Sequence, residues 1–395
     1  MKFYAFHFMP YPYLEEGFKD KYQSDWVTYP NSNYDPVVGH QLYSTYIDQL
    51  VYAAELGFDG ITVNEHHQTS YGLMPSPNII AAMLVQRTMG MPTKVGILGN
   101  ALPLRQNPLR IAEELAMLDV ISGGRMISGF VRGIGAEYHS FGINPAESRD
   151  RFREAHDLIV RAWSEAGPFS FEGEFFNYRY VNTWPRPFQR PHPEVWAPST
   201  GSGETVAWAA ERAYTYVQVF SPIKSVAKIF EEYRDASAKF GIPDPSSRLG
   251  WAPAVYVADS DAQAEDEFWP QADMYFNNLF PNPMHRLFPP NYMEEQTLER
   301  VLSLRGDLDK ATDFNTLKSN YTAIVGSPET VIGMLEEAHD MLGYEHLVMY
   351  VHMGGLSDEL TRNNIRRIAT EIMPKLRGHE SKRDAAAGRA ESVGV

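Results

Sequence analysis

A (β/α)8 barrel of TIM type, carrying insertions at the C-terminal rim of its strands, is the fold class this sequence predicts. Three observations carry that expectation. Strand-like and helix-like segments alternate along most of the chain, the pattern of parallel strands joined by helical crossovers. No Gly-x-Gly-x-x-Gly follows the first strand, as a doubly wound dinucleotide fold requires. The 395 residues also suit one barrel with insertions.

The elements follow in order. Lys2–Met9 reads as the first strand, and a loop rich in Tyr, Pro and Asn runs to about Gly39. A helix from Leu42 to about Leu56 puts Tyr46, Leu50 and Ala53 on one stripe and ends at Gly57. Gly60–Val63 is the second strand and leads into Asn64-Glu65-His66-His67. Ser76-Pro77 opens a helix ending near Gly90, with proline at the first helical position. Lys94–Ala101 is the third strand; Asn107-Pro108 introduces a helix over Leu109–Ile121, stopped by Ser122-Gly123-Gly124. The fourth strand, Met126–Val131, ends on Arg132 among Gly129, Gly133 and Gly135. A helix over Ser148–Glu165 follows, with Phe152, Ala155, Ile159 and Trp163 on one face. Phe169–Tyr178 alternates like a hairpin, Val195–Ala197 is a short fifth strand, and Glu204–Arg212 the next helix. Tyr216–Phe220, Leu249–Ala258 and Glu345–Met353 complete the strong strands.

Two regions break this rhythm. Residues 259–320 form a long excursion rich in aromatic residues and proline, including Phe268-Trp269, Tyr275-Phe276 and Phe280-Pro-Asn-Pro-Met284. A long excursion at the functional rim of a barrel is read as a lid. A single domain is expected over residues 1–377, and residues 378–395 read as a polar, disordered tail.

Composition narrows the function classes. The net charge of −15 argues against nucleic-acid or anionic-membrane surfaces, which need a positive footprint. The chain has no cysteine, which removes disulfides, thiolate nucleophiles and Cys-based metal sites. The N-terminus lacks a cleavage pattern and no apolar run nears the ~18 residues of a membrane span, so a cytoplasmic protein is expected.

Three places point to chemistry. Alternation at the end of the second strand sends Glu65 and His67 to one side and His66 to the other, a poor chelate but a good position for proton handling. Arg132 at a strand end, among small residues, suits a phosphate, although Arg-Gly after a strand is also a common structural turn. Pro198-Ser-Thr-Gly-Ser202-Gly-Glu-Thr205 runs into a helix whose N-terminal N–H groups offer an anion site or a plain cap. With Arg132 on an adjacent strand, the two elements can hold one phosphate between them. Arg149 and Arg151 are further candidates, or surface ion pairs.

Over roughly Lys2–Lys375 the chain resembles the bacterial luciferase-like, flavin-dependent monooxygenases. The resemblance rests on motifs in the expected order. They are Gly57-Phe-Asp-Gly-Ile-Thr-Val-Asn-Glu65-His66-His67, Asn107-Pro-Leu-Arg110 through Asp119 to Arg125, and Phe-Val-Arg132-Gly-Ile-Gly with Glu137-Tyr138 and Phe141-Gly142. Pro185-Arg-Pro-Phe-Gln189-Arg-Pro-His-Pro193 and Glu204-Thr-Val-Ala-Trp208 complete the set. The resemblance implies an eight-stranded barrel binding reduced FMN at the strand C-termini. Arg132, helped by Ser202 and Thr205, would contact the flavin phosphate, while Gly99 and Asn100 would lie by the isoalloxazine ring. His66 would stand beside the flavin with Glu65 and His67 as its supports. No metal is implied. The implied reaction uses molecular oxygen and FMN reduced by a separate NAD(P)H flavin reductase. Through a hydroperoxyflavin it oxygenates an apolar or aromatic organic substrate, in an enzyme expected to be a homodimer. The position of the luciferases' reactive cysteine is Val131 here, so light emission is not expected. Alternatives are a deazaflavin-dependent oxidoreductase on the same fold, a non-catalytic flavin-binding protein, and a metal-dependent barrel hydrolase.

Overall fold

In the computed structural model, which describes residues 1–293, 295, 298, 299 and 312–379, eight parallel strands close into a barrel. They are β1 Lys2–Phe6, β2 Gly60–Val63, β3 Lys94–Ala101, β4 Met126–Val131, β5 Glu194–Ser199, β6 Thr215–Val219, β7 Leu249–Ala252 and β8 His346–Tyr350. Each pairs with the next in sequence order, and β1 closes the ring on β8 in the register Lys2↔His346 to Phe6↔Tyr350. The predicted barrel is therefore the observed architecture.

Period-two alternation sorts the strand residues into two layers. Tyr4, Phe6, Leu98, Ile127, Trp196, Val217, Val348 and Tyr350 belong to one buried cluster, which fills the barrel and continues upward into Phe8, Trp26, Tyr71 and Phe276. Phe3, Ala5, Ile61, Val63, Val95, Ile97 and Met126 turn outward into a second cluster, packed on the helices.

The helices start and stop where the chain chemistry dictates. The first long one spans Pro36–Glu55, six residues earlier than expected from Leu42. Asp35 caps it, its Oδ1 accepting from Val37 N–H at 2.7 Å, with proline in the first turn. Its opening turn is solvated and carries no apolar stripe, which hides it from periodicity. Pro77–Arg87, Pro108–Ser122 and Ser148–Ser164 lie where expected, and Gly123 in the left-handed region (φ 68°) ends the second of these. Two motifs are structural ties: Gln189 donates N–H and Nε2–H to Asp119 at 2.8 and 2.7 Å. Arg125 Nη1 donates to the Thr93 carbonyl at 2.7 Å.

Three expectations need correction. The predicted strand Leu249–Ala258 is two pieces, β7 and Ala254–Val257, broken at Pro253, which has no N–H to offer a ladder. The second piece pairs with β8 at Ala254↔Tyr350 and along its length with Ala323–Gly326, a strand outside the predicted set. The 259–320 excursion is not one loop: it begins with the helix Asp261–Met274, a layer helix of the barrel, followed by a π-helical turn at Tyr275–Leu279. A short helix at Met284–Leu287 and another at Phe314–Ser319 follow. Part of that region, and the predicted tail from residue 380 onward, lie outside the described residues. No helix among the described residues is long and apolar enough to cross a membrane.

Candidate active site

The C-terminal ends of all eight strands, with the segment Phe276–Met293, surround a cavity of about 1080 Å³. Its walls are aromatic: Phe8, Trp26, Tyr71, Phe220, Phe280 and Tyr350 all line it. Trp26 Nε1 donates to the Leu279 carbonyl at 2.9 Å, and Ser24 Oγ donates to that of Pro281 at 2.8 Å. The loop after β1 and the excursion are thus pinned to each other across the cavity.

His66 lies in this wall. Its Nδ1 is 3.2 Å from Oε1 of Glu137, and its ring meets Trp26 and Tyr71 edge-on at 5.2 and 4.9 Å between centroids. Glu137 is 1% exposed, and its Oε2 accepts the Ile134 N–H at 2.8 Å. A carboxylate that only accepts sets Nδ1–H as the donor. That leaves Nε2 of His66 with no hydrogen-bond partner among the described residues. Alternation at the end of β2 places Glu65 and His67 as expected, on the same side. They do not support His66, however. His67 Nε2 meets Glu65 Oε1 at 2.7 Å, and Glu65 Oε2 accepts from Arg105 Nη2 at 2.6 Å and from Ala101 N–H at 3.3 Å. The strand pleat that puts the two together also turns them away from His66, and the support comes from Glu137, 71 residues later.

At the end of β3, Leu98–Gly99 is a cis peptide bond. Gly99 lines the cavity and has no space for a side chain: a Cβ there would lie 2.6 Å from the Gly129 carbonyl carbon and oxygen. Asn100 is fully buried, and both of its amide atoms lack a partner; so does Oδ1 of the cavity-lining Asn64. Unpaired buried amides are costly; that of Asn64 lies in the cavity wall, where it fits a polar ligand edge, whereas Asn100 is fully buried and is not among the lining residues.

Arg132 reaches the cavity from the end of β4. Its Nη1 donates to the Tyr292 carbonyl at 3.2 Å, and its guanidinium lies 4.7 Å from the centre of the Tyr292 ring. No carboxylate is within ion-pair distance of it among the described residues. Ser202 is the N-cap of the helix Gly203–Glu211, yet its hydroxyl makes no capping bond, and both Ser202 and Thr205 line the cavity. The first-turn N–H groups therefore face the same space as Arg132, the arrangement an anion needs. Of the further candidates, Arg149 lines the cavity and pairs with Glu204 at 2.5 Å, while Arg151 is tied to Glu147 at 2.8 Å. Among the described residues no three His, Asp or Glu side chains converge as metal ligands.

Glu137 and Tyr292 are cavity-lining residues that the sequence does not single out by role, and Asp25 holds the loop that carries Tyr71. Asp25 sits behind Trp26, its Oδ2 accepting from Thr69, Ser70 and the Tyr71 N–H at 2.7–3.0 Å. Burial without a cation pushes its carboxyl up to about 7.

Fold and site together define a parallel barrel whose strand C-termini carry an aromatic-walled cavity, with Arg132, the first turn of the helix Gly203–Glu211 and His66 all in its wall. Comparison with known proteins agrees. A family model described as luciferase-like monooxygenase matches residues 26–345. The alkanal monooxygenase alpha chain of Photobacterium leiognathi is 27% identical, over 83% of this chain and 91% of that protein. The oxygenase component of the flavin-dependent trigonelline monooxygenase of Acinetobacter baylyi is also 27% identical, over 87% and 92%. Among solved structures, the oxygenating constituent of 3,6-diketocamphane monooxygenase from Pseudomonas putida, in complex with FMN, superposes with a TM-score of 0.70. It shares 22% identity over 85% of this chain and 94% of that one, a likeness of fold. An F420-dependent secondary alcohol dehydrogenase shares the fold with a TM-score of 0.63 at 14% identity, over 94% and 98%. This chain belongs to the luciferase-like monooxygenase family.

Proposed function

We propose that the chain is the oxygenase component of a two-component monooxygenase that uses FMN reduced by a separate NAD(P)H flavin reductase. The observation that carries this reading is the meeting, in one cavity, of Arg132, which has no carboxylate within ion-pair distance among the described residues, with the first turn of the helix Gly203–Glu211. A phosphate held there is bound by a guanidinium fork and by backbone N–H groups. The unpaired amide oxygen of the cavity-lining Asn64 fits the polar edge of a flavin ring.

Reduced FMN, when bound, supplies the electrons that activate molecular oxygen, so that one oxygen atom passes to an organic substrate. The protein's part is positional. His66, fixed through Nδ1 by Glu137, presents Nε2 as a group able to hold or give a proton at the reacting centre. Phe8, Trp26, Tyr71, Phe220 and Tyr350 exclude water and fit an apolar or aromatic substrate. The relatives' names support oxygenation, whereas the F420-dependent fold neighbour supports a second reading, hydride transfer with a deazaflavin. Anaerobic binding of reduced FMN against reduced F420, followed by oxygen uptake, separates the two: oxygen uptake with bound FMN supports oxygenation, and turnover without oxygen on F420 overturns it.

A homodimer belongs to the same proposal. The neighbouring helices Pro77–Arg87 and Pro108–Ser122 expose Ile79, Met83, Met117, Val120 and Ile121, an apolar stripe of the kind that marks an interface.

A further inference from the structure

Tyr292 is joined to the 132–138 segment by more contacts than packing alone explains. Its hydroxyl donates to the Gly133 carbonyl at 2.5 Å, its own carbonyl accepts from Arg132 Nη1 at 3.2 Å, and its ring lies 4.7 Å below the guanidinium. Tyr138 braces the group, donating its hydroxyl to the Arg132 carbonyl at 2.5 Å and meeting the Tyr292 ring edge-on at 5.6 Å. The strand-to-helix turn has made room for this. A Cβ on Gly135 would lie 2.1 Å from Pro289 and 2.2 Å from the Arg286 carbonyl, so only glycine lets the 286–292 segment rest on the backbone that follows Arg132. At its far end Arg286 Nη1 donates to Thr28 Oγ1 at 3.0 Å and to the Trp26 carbonyl at 3.3 Å. The segment therefore spans the cavity mouth from the Trp26 loop to Arg132.

A guanidinium has five N–H donors. Tyr292 takes one of the five and covers one face of the plane, which fixes the rotamer; among the described residues no other partner takes the remaining donors, which can meet an anion.

We propose that Tyr292 is a positioning residue for the cofactor phosphate: it orients Arg132, so that phosphate binding and seating of residues 284–292 stabilise each other. The proposal rests on the reading of Arg132 as the phosphate ligand. Linkage makes the effect reciprocal: a phosphate that favours the seated segment is itself bound more tightly when the segment is seated.

The test compares reduced FMN with reduced riboflavin, which lacks the phosphate, on the full-length protein. Tyr292→Ala should lower the FMN-over-riboflavin preference about fivefold or more, with riboflavin affinity held within about twofold. Tyr292→Phe, which keeps the ring, should retain most of the preference. In the unaltered protein, FMN and inorganic phosphate should slow proteolytic cleavage within residues 284–293, and riboflavin should not; this readout needs no folded variant. If Tyr292→Ala keeps the preference, or weakens both flavins equally, the positioning role is overturned while the Arg132 reading stands. If the unaltered protein shows no preference for FMN over riboflavin, the Arg132 reading falls and takes this proposal with it.

Discussion

His7 and His352 stack at 4.5 Å between centroids, buried where β1 and β8 leave the barrel, and burial favours the neutral form of each. His7 Nδ1 accepts the Met9 N–H at 2.8 Å and its Nε2–H faces Gln49 Oε1 at 3.0 Å, with Gln49 in turn donating to Asp358. His352 Nε2–H donates to the Gly354 carbonyl at 3.1 Å, and its Nδ1 meets Thr361 Oγ1 at 3.0 Å. Tyr46 packs on both rings. Burial brings His352 down from 6.5 to about 4 and pushes His7 well below its ordinary value. Because the folded value is the lower one, the unfolded chain binds more protons between these limits, and stability falls as pH drops from 6.5 toward 4. At pH 5 the His352 share of that loss is about 1.36 × 1.5, roughly 2 kcal/mol, relative to pH 8. Asp25, raised to about 7, runs with the opposite sign, so the curve of the whole protein mixes the two. The difference between the protein and His352→Asn isolates the titration of the histidine, since asparagine does not titrate and its lost bond to the Gly354 carbonyl costs the same at both pH values. Urea denaturation at pH 8 and pH 5 should show the cost of the substitution shrinking by roughly 2 kcal/mol at the lower pH. A cost that is the same at both pH values refutes the reasoning.

Three further outcomes follow from the site. Arg132→Ala should weaken reduced-FMN binding at least about tenfold, as a charge-assisted phosphate contact contributes roughly 1.5–3 kcal/mol, while riboflavin affinity changes little; fluorescence titration of both flavins checks this. Glu137→Ala frees the His66 ring and leaves the Ile134 N–H without its acceptor. It should lower the yield of oxygenated product per oxygen consumed and cost roughly 1–3 kcal/mol of stability, with reduced-FMN affinity within about threefold; an unchanged yield contradicts the role given to His66. Gly99→Ala forces a Cβ to 2.6 Å from the Gly129 backbone, so β3 and β4 must part. A loss of roughly 1–3 kcal/mol or more is expected in the denaturation midpoint, and a neutral result contradicts the packing.

The barrel was legible because its signals are local. Apolar runs such as Met126–Val131, proline at the first turn of Pro77–Arg87 and Pro108–Ser122, and Gly123 after the latter all act within a few residues. Similar signals mark Pro328–Leu342, where Ser327 caps one end and left-handed Gly343 the other, although the sequence reading passes over that helix. The site was legible as strand ends and no further. His66 and Arg132 stand at the rim because of where β2 and β4 stop. Their partners, Glu137 and Tyr292, are 71 and 160 residues away in sequence, and only closure of the barrel and the path of the excursion bring them near. The resemblance implied that Glu65 supports His66, but the hydrogen bonds of Glu65 go to His67 and Arg105 instead.

The central claim is that this cavity takes reduced FMN by its phosphate and turns it toward molecular oxygen. The most direct test is an anaerobic titration of the protein with reduced FMN, reduced riboflavin and reduced F420, followed by admission of oxygen. The account predicts that reduced FMN binds more tightly than riboflavin by about tenfold or more and that bound FMN then consumes oxygen. Equal affinity for FMN and riboflavin, or binding of F420 alone with no reaction toward oxygen, would contradict it.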